Sequence, residues 1–499
     1  MSVRPADKRC SMGISGLDDI LGGGLPVNRF YLVQGNPGVG KTTLALQFLM
    51  EGERVGEKGL YITLSETKEE LLSVAQSHNW SLDNLALFEL SAIEQQLKTE
   101  SQNTIFHPSE LELNQTTQML LTEIERIKPA RVVFDSLSEM RLLTQTQLRY
   151  RREMLLLKQF FAGRNCTALL LDDNTSETGD LQVQSIAHGV LSLSKVISDY
   201  GTVRHQIEVL KVRGIKFRQG RHDYILQTGG ITVFPRLVSA EHRKEFKRQN
   251  FSSGIPEFDS LLGGGFDRGT SNVIMGPAGT GKSTLAMKFM SEAAKKGEKS
   301  AFFAFDENLG ISMARARQLG INLDEGIKAG LIIAQQVDPA ELSPGELSFR
   351  IKELVEKENI RILVIDSLNG YMNAMPGERY LVLQLHDLLA YLSNQGVMAI
   401  ITLAQHGLVG QMQSPIDLTY LGDTIVLLRF FENLGCIKKA ISVVKKRSGN
   451  HESEIRELTT ARGRIELGPP LDHFQGVLTG IPRIITGNPP HSKAASHDE

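Results

Sequence analysis

The sequence predicts an α/β chain in which one domain, a mostly parallel central sheet covered by helices, occurs twice in tandem. Three observations carry that prediction. A glycine loop recurs, as G-N-P-G-V-G-K-T from Gly35 to Thr42 and G-P-A-G-T-G-K-S from Gly276 to Ser283. Residues around the loops repeat at one spacing, 282 − 41 = 241 for the lysines and 263 − 22 = 241 for the glycines of the preceding G-G-G runs. Along both halves, short β-rich apolar runs alternate with helical patterns, which is how a parallel sheet with crossover helices reads.

Taken in order, Met12 to Leu25 (M-G-I-S-G-L-D-D-I-L-G-G-G-L) returns as Ser252 to Phe266. A strand is expected over Phe30 to Gln34 and over Ser271 to Met275, each leading into a glycine loop and then a helix, Thr43 to Glu51 and Thr284 to Ala294. Further strands are expected at Leu60 to Leu64, Arg131 to Phe134, Ala168 to Leu171 and Gly189 to Leu193. Their second-half counterparts are Ala301 to Phe305, Ile362 to Ile365, Met398 to Leu403 and Thr424 to Leu428. A late β-rich segment closes each half, His205 to Tyr224 and Lys438 to Glu457. The charged stretch Ser239 to Asn250 reads as a solvated connection, and the polar end as a mobile tail. The expected domains are therefore 1–240 and 241–485, with a tail over 486–499.

Composition bounds the rest. A chain of 499 residues with 41% hydrophobic and 22% charged residues is an ordinary globular protein. No apolar run is long enough for a membrane span and the start lacks a secretory apolar core, so no membrane role and a cytoplasmic location are expected. A net charge of −2 argues against a strongly basic nucleic-acid surface. Cys10, Cys166 and Cys436 have no metal-like spacing and read as free thiols.

The chemistry resides in the loops. Glycine permits backbone conformations that turn successive N–H groups toward phosphate oxygens, the lysine reaches the β/γ-phosphates, and the hydroxyl ligates Mg²⁺. Gly35, Gly38, Gly40, Lys41, Thr42 and Thr43 thus form one nucleoside-triphosphate cradle, and Gly276, Gly279, Gly281, Lys282, Ser283 and Thr284 the other. Asp135 and Asp366 each end an apolar strand before Ser-Leu, where an aspartate holds the metal with Thr42 or Ser283; a helix-capping Asp is the plainer alternative. Hydrolysis also needs a carboxylate to orient or deprotonate water. Residues 136 and 367, directly after the aspartates, are serines, so the candidates move to the strand after the loop helix: Glu66 in the first copy, Asp306 and Glu307 in the second. That location is the RecA-like arrangement.

The duplicated G-x-x-x-L-D-x-x-L-G-G-G opening, the two loops, the acidic strand tips, D-S at the second tip, and the late K-V-R-G (Lys211 to Gly214) and K-K-R-S (Lys445 to Ser448) together resemble the KaiC family. The resemblance spans nearly the whole chain. It implies two tandem RecA-like P-loop NTPase domains, a double-ring homohexamer with ATP and Mg²⁺ at subunit interfaces, and Kai-type or other signalling proteins as partners. It further implies that Lys211 and Arg213, and Lys445 and Arg447, reach a neighbour's γ-phosphate. Without it, all four are surface charges on strands. Clock members carry two adjacent glutamates where this chain has Ser65-Glu66 and Asp306-Glu307. One carboxylate is lost in the first copy, so that copy either hydrolyses more weakly, with Glu66 alone or helped by Glu139, or binds ATP to hold the ring together. The family's autokinase activity would fall at Thr419, beside Tyr420. A RecA- or RadA-like DNA-dependent ATPase and a nucleotide-dependent scaffold stay open as alternatives.

Overall fold

The computed structural model describes residues 8–89, 108–144, 146–173, 181–197, 201–338, 340–373, 380–405, 421–461, 463–479 and 482–484. Thr419, Tyr420 and the segment 486–499 lie outside the described residues. The chain divides into two units, Met1–Arg236 and Leu237–Glu499.

Among the described residues each unit is built on one nine-stranded sheet. In the first, the strands in chain order are β1 Phe30–Gly35, β2 Gly59–Thr63, β3 Ala86–Glu89, β4 Arg131–Asp135, β5 Thr167–Asp172, β6 Gly189–Val196, β7 Arg204–Val212, β8 Arg221–Gln227 and β9 Gly230–Phe234. Their spatial order is β9-β8-β7-β6-β1-β5-β4-β2-β3. From β6 to β3 neighbours run parallel, and β7, β8 and β9 add antiparallel strands at the other edge. The second unit repeats the pattern with β10 Ser271–Gly276, β11 Ser300–Ala304, β12 Ile332–Gln336, β13 Ile362–Asp366, β14 Met398–Ala404, β15 Thr424–Asn433, β16 Cys436–Lys446, β17 Ile455–Ala461 and β18 Arg464–Pro470, ordered β12-β11-β13-β14-β10-β15-β16-β17-β18. These are two tandem RecA-like α/β domains.

Why these runs become central strands follows from what each face buries. Alternate residues of a strand point to opposite faces. Tyr31, Val33, Tyr61, Val133, Leu169 and Leu191 pack into one core layer of the first unit, while Phe30, Leu32, Leu60, Ile62, Val132, Phe134 and Leu170 pack into the other. A strand buried on both faces must be apolar throughout, which is why the runs show no polar alternation. The edge strands β3 and β12 are only half buried and give a weaker signal.

The helices after the glycine loops are α1 Lys41–Arg54 and, in the second unit, α3 Lys282–Lys295. The helices after the next strands are α2 Lys68–Ser77 and α4 Leu309–Gln318, related by the same spacing, 309 − 68 = 241. The stretch from Ser239 is less free than its charge suggested. Asn394 Nδ2 donates to Ser239 O, Gln395 Nε2 to His242 O and Lys244 N to Asn394 O. Phe246 lies where a side chain at Gly269 or Gly396 would stand. The stretch is therefore fastened to the second unit.

Candidate nucleotide sites

Each glycine loop stands at the carboxyl end of its sheet's central strand, where ligands of open α/β sheets bind. Two features make it an anion cradle. Gly40 (φ 88°) and Gly281 (φ 108°) precede α1 and α3 in the left-handed region, and neither helix has a side-chain cap, so the first N–H groups stay directed at the loop. A Cβ on Gly35 would stand 2.5 Å from Leu193 O, and one on Gly276 would stand 2.4 Å from Leu428 O, so the strand can pass its neighbour only as glycine.

Both loop lysines are buried and tied to the loop itself. Lys41 Nζ donates to Gly35 O (2.8 Å) and Asn36 O (3.2 Å); Lys282 Nζ donates to Gly276 O (2.9 Å) and Pro277 O (2.8 Å). Burial holds the Lys282 ammonium below its ordinary proton affinity. In the second unit Lys282, Ser283, Asp306, Glu307, Arg315 and Asp366 line one cavity of about 340 Å³, together with Gly279 and Gly281.

The strand-tip aspartates lie at the base of the sites, 6% and 8% exposed. Thr42 Oγ1 donates to Asp135 Oδ2 at 3.1 Å, with the Tyr61 hydroxyl on the same oxygen. Asp366 accepts from the Thr402 hydroxyl instead. Tyr61 corresponds to Phe302, since 302 − 61 = 241. Thr402 corresponds to Leu171, because Ile274 pairs Thr402 as Val33 pairs Leu171. The copies therefore brace the same carboxylate from opposite sides with different hydroxyls. Burial raises the proton affinity of both aspartates. A buried carboxylate beside a loop hydroxyl, kept uneasy as an anion, is a donor set that a divalent cation would satisfy.

The candidate water-activating carboxylates differ sharply. Glu66 is half buried, its Oε2 has no hydrogen-bond partner among the described residues, and burial with the nearby Asp135 charge pushes its pKa up to about 7. Glu307 accepts from Arg315 Nη1 (2.7 Å), Arg315 Nη2 (2.7 Å) and Ser312 Oγ (2.6 Å) and is held below the usual carboxylate range. Asp306 accepts from the Ser367 hydroxyl and sits over Gly370, where a Cβ would clash with it. Glu139 lies in the first turn of the helix Leu137–Thr144.

One family model, the KaiC ATPase, matches residues 10–238 and 251–472, one match on each unit. The chain belongs to the KaiC ATPase family. Its similarity to curated KaiC proteins is distant but spans the chain. It is 28% identical over 500 residues to a circadian clock oscillator protein KaiC of Parathermosynechococcus lividus, covering 96% of this chain and 87% of that one. It is 25% identical over 482 residues to the protein of that name in Acaryochloris marina, covering 95% and 91%. Against the circadian clock protein KaiC3 of a Synechocystis strain it is 24% identical over 494 residues, covering 95% and 94%. As an ATPase of the KaiC type it binds nucleotide with a divalent metal. Among the described residues no helix is long and apolar enough to cross a membrane.

The remaining KaiC-type candidates stand away from the loops of their own unit. Lys211 pairs Val190, which pairs Leu32, three residues before Gly35; Lys445 pairs Ile425, which pairs Val273, three before Gly276. Arg213 and Arg447 follow at the levels of Phe30 and Ser271. Five residues at roughly 3.3 Å each set these arginines about 16 Å of strand from their own loops. Lys211 donates to Gln184 O and Arg213 to Ser185 O, Lys445 donates to Gly422 O, and Arg447 lies 3.6 Å from Asp423.

Asp173, Tyr61, Thr402, Ser312 and Arg315 escaped the motif reading. Asp173 lies 2.6 Å from Lys41 and also accepts from Ser138. Its signal is the acidic end of an otherwise apolar run. Tyr61 and Arg315 carry no motif signal, since one sits in a strand and the other on an ordinary amphipathic helix.

Proposed function

We propose that the chain binds Mg-ATP in both loops and hydrolyses it at the interfaces of a homohexamer, passing its nucleotide state to partner signalling proteins. The observation that carries the hydrolytic reading is Glu66, a half-buried carboxylate with an unpartnered oxygen and a proton affinity poised near neutral pH, next to the Lys41 and Asp135 end of the first site. Bound Mg²⁺ would neutralise charge developing on the phosphates, held by Thr42 and Asp135 in the first site and Ser283 and Asp366 in the second. Lys41 and Lys282 hold phosphate, and the uncapped N-termini of α1 and α3 receive its oxygens.

Glu66 takes the proton of the attacking water in the first site, and the Asp306-Glu307 pair supplies the candidate bases of the second. Counting carboxylates favours the second copy as the faster site; the state of those carboxylates favours the first. The interface location is supported by the cation pairs Lys211/Arg213 and Lys445/Arg447. The lysines stand about 10 Å and the arginines about 16 Å of strand from their own loops, which supports a role toward a phosphate on a neighbouring chain, like that of an arginine finger. Serine/threonine autokinase activity at Thr419 is the finer reading of the second copy, and a circadian role, which the relatives' names suggest, is the finer reading of the chain.

The test is ATP turnover with parallel phosphopeptide mapping on the parent chain and on Glu66→Gln and Asp306→Asn/Glu307→Gln variants. Turnover lost in the carboxylate variants is expected. Nucleotide binding without turnover in the parent chain would leave a nucleotide-dependent scaffold, and turnover indifferent to all three residues would place the base elsewhere. Phosphate on Thr419, lost in the second-copy variant, would add the autokinase; turnover without phosphoprotein would remove it.

A further inference from the structure

The two copies carry the same glutamate in opposite states, and two neighbouring positions account for it. Glu307 corresponds to Glu66, as 307 − 66 = 241, and the helices that follow them, α4 and α2, correspond residue for residue. On α4, Ser312 and Arg315 point back at Glu307 and occupy both of its oxygens with three hydrogen bonds. The first copy has Leu71 (312 − 241 = 71) and Val74 (315 − 241 = 74) there. Both belong to the apolar core: Leu71 is fully buried and Val74 packs against the same cluster. Neither can bond a carboxylate, and Glu66 accordingly keeps an oxygen without a partner.

We propose that Arg315, with Ser312, is a positioning residue that clamps Glu307 away from water activation, so that water activation in the second site falls to Asp306 while the first site runs on a free Glu66. The inference rests on the hydrolytic reading above. A base must offer a lone pair to the water it deprotonates; the fork-shaped guanidinium takes one on each carboxylate oxygen and the Ser312 hydroxyl a second on Oε2, which leaves about one of four in-plane sites, on Oε1. The depressed proton affinity of Glu307 works in the same direction. The clamp is also placed to matter: Arg315 and Glu307 both line the nucleotide cavity beside Lys282 and Asp366. With side chains 39% and 32% exposed, the pair is solvated enough to be opened by substitution without unfolding its surroundings.

The experiment uses the full chain with Lys41→Ala, so that single-turnover hydrolysis of Mg-ATP reports the second site. Arg315→Val, which installs the first copy's residue, is expected to raise the rate on the order of 10-fold, a small part of the 10²–10⁴ that a positioned base supplies. Half-saturation by Mg-ATP should stay within about twofold, since Lys282 and the loop N–H groups that receive phosphate are left alone. Adding Glu307→Gln should abolish the gain. A rate that falls or stays level in Arg315→Val, or a gain that survives Glu307→Gln, overturns the clamp; a structural role for Arg315 would give a loss and not a gain. The reciprocal variant, Val74→Arg in a Lys282→Ala chain, should slow the first site by a similar factor. If no second-site variant hydrolyses ATP, the reading of that site as a hydrolase fails, and the Val74→Arg arm alone decides the clamp, no slowing being the result against it.

Discussion

Lys41 Nζ lies 2.6 Å from Asp173 Oδ1, so the first loop's lysine meets a carboxylate where the second copy offers none. Gln34 pairs Asp172 as Met275 pairs Leu403, which makes Ala404 the counterpart of Asp173. An incoming phosphate must displace this partner. Asp173→Asn is therefore expected to tighten Mg-ATP binding at the first site. The pair is partly exposed and worth about 1 kcal/mol, so the gain is roughly fivefold in Kd. Nucleotide titration of a Lys282→Ala chain measures it; weaker binding would mean that Asp173 works for the ligand and not against it.

Removing the loop lysines themselves should do the opposite. Each makes charge-assisted contacts that a neutral side chain cannot replace, at roughly 1.5–3 kcal/mol apiece. Lys41→Ala and Lys282→Ala are expected to weaken binding at their own sites by about 10- to 100-fold and to leave the other copy's site intact. Titration of the single variants should then show one tight site each, and loss of both from one substitution would contradict independent cradles.

First-site turnover should depend on pH through Glu66. Burial raises its pKa to about 7, the carboxylate is the form that accepts a proton, and so activity is low when the group is protonated and rises as it ionises. In a Lys282→Ala chain, turnover is expected to climb between roughly pH 6 and 8 and then level off. Glu66→Gln should cut the plateau on the order of 10²-fold or more and flatten the profile. A profile unchanged by that substitution would assign the base elsewhere, with Glu139 next to be tested.

The buried hydroxyls that brace the strand-tip aspartates should show in stability. Tyr61→Phe keeps the packing and removes one bond to the buried Asp135, at a cost of about 2 kcal/mol. A urea melt of the variant measures this, and a shift below about 0.5 kcal/mol would mean that Thr42 alone suffices. Thr402→Leu removes the equivalent bond to Asp366 and should weaken the second unit similarly.

Much of the architecture was legible because its signals are local. A glycine loop needs its glycines wherever it occurs, and a strand buried on both faces must read as a continuous apolar run. The expected central strands therefore lie within a residue or so of those observed, except that β6 and β15 run on past Leu193 and Leu428 to Val196 and Asn433. The half-buried edge strands β3 and β12 lack that signature, because only one side of each is under pressure to be apolar.

By itself the sequence determined the duplicated α/β fold, the two glycine loops with their lysines and the strand-tip aspartates, since each depends on residue type at a short, fixed spacing. Tertiary structure decided the electrostatic state of each site. Whether a glutamate is free like Glu66 or clamped like Glu307, whether a loop lysine meets Asp173, and whether Tyr61 or Thr402 steadies an aspartate depend on side chains brought together from separate strands and helices. Hydrogen bonding and desolvation act through space at a few ångströms, and no spacing along the chain records them.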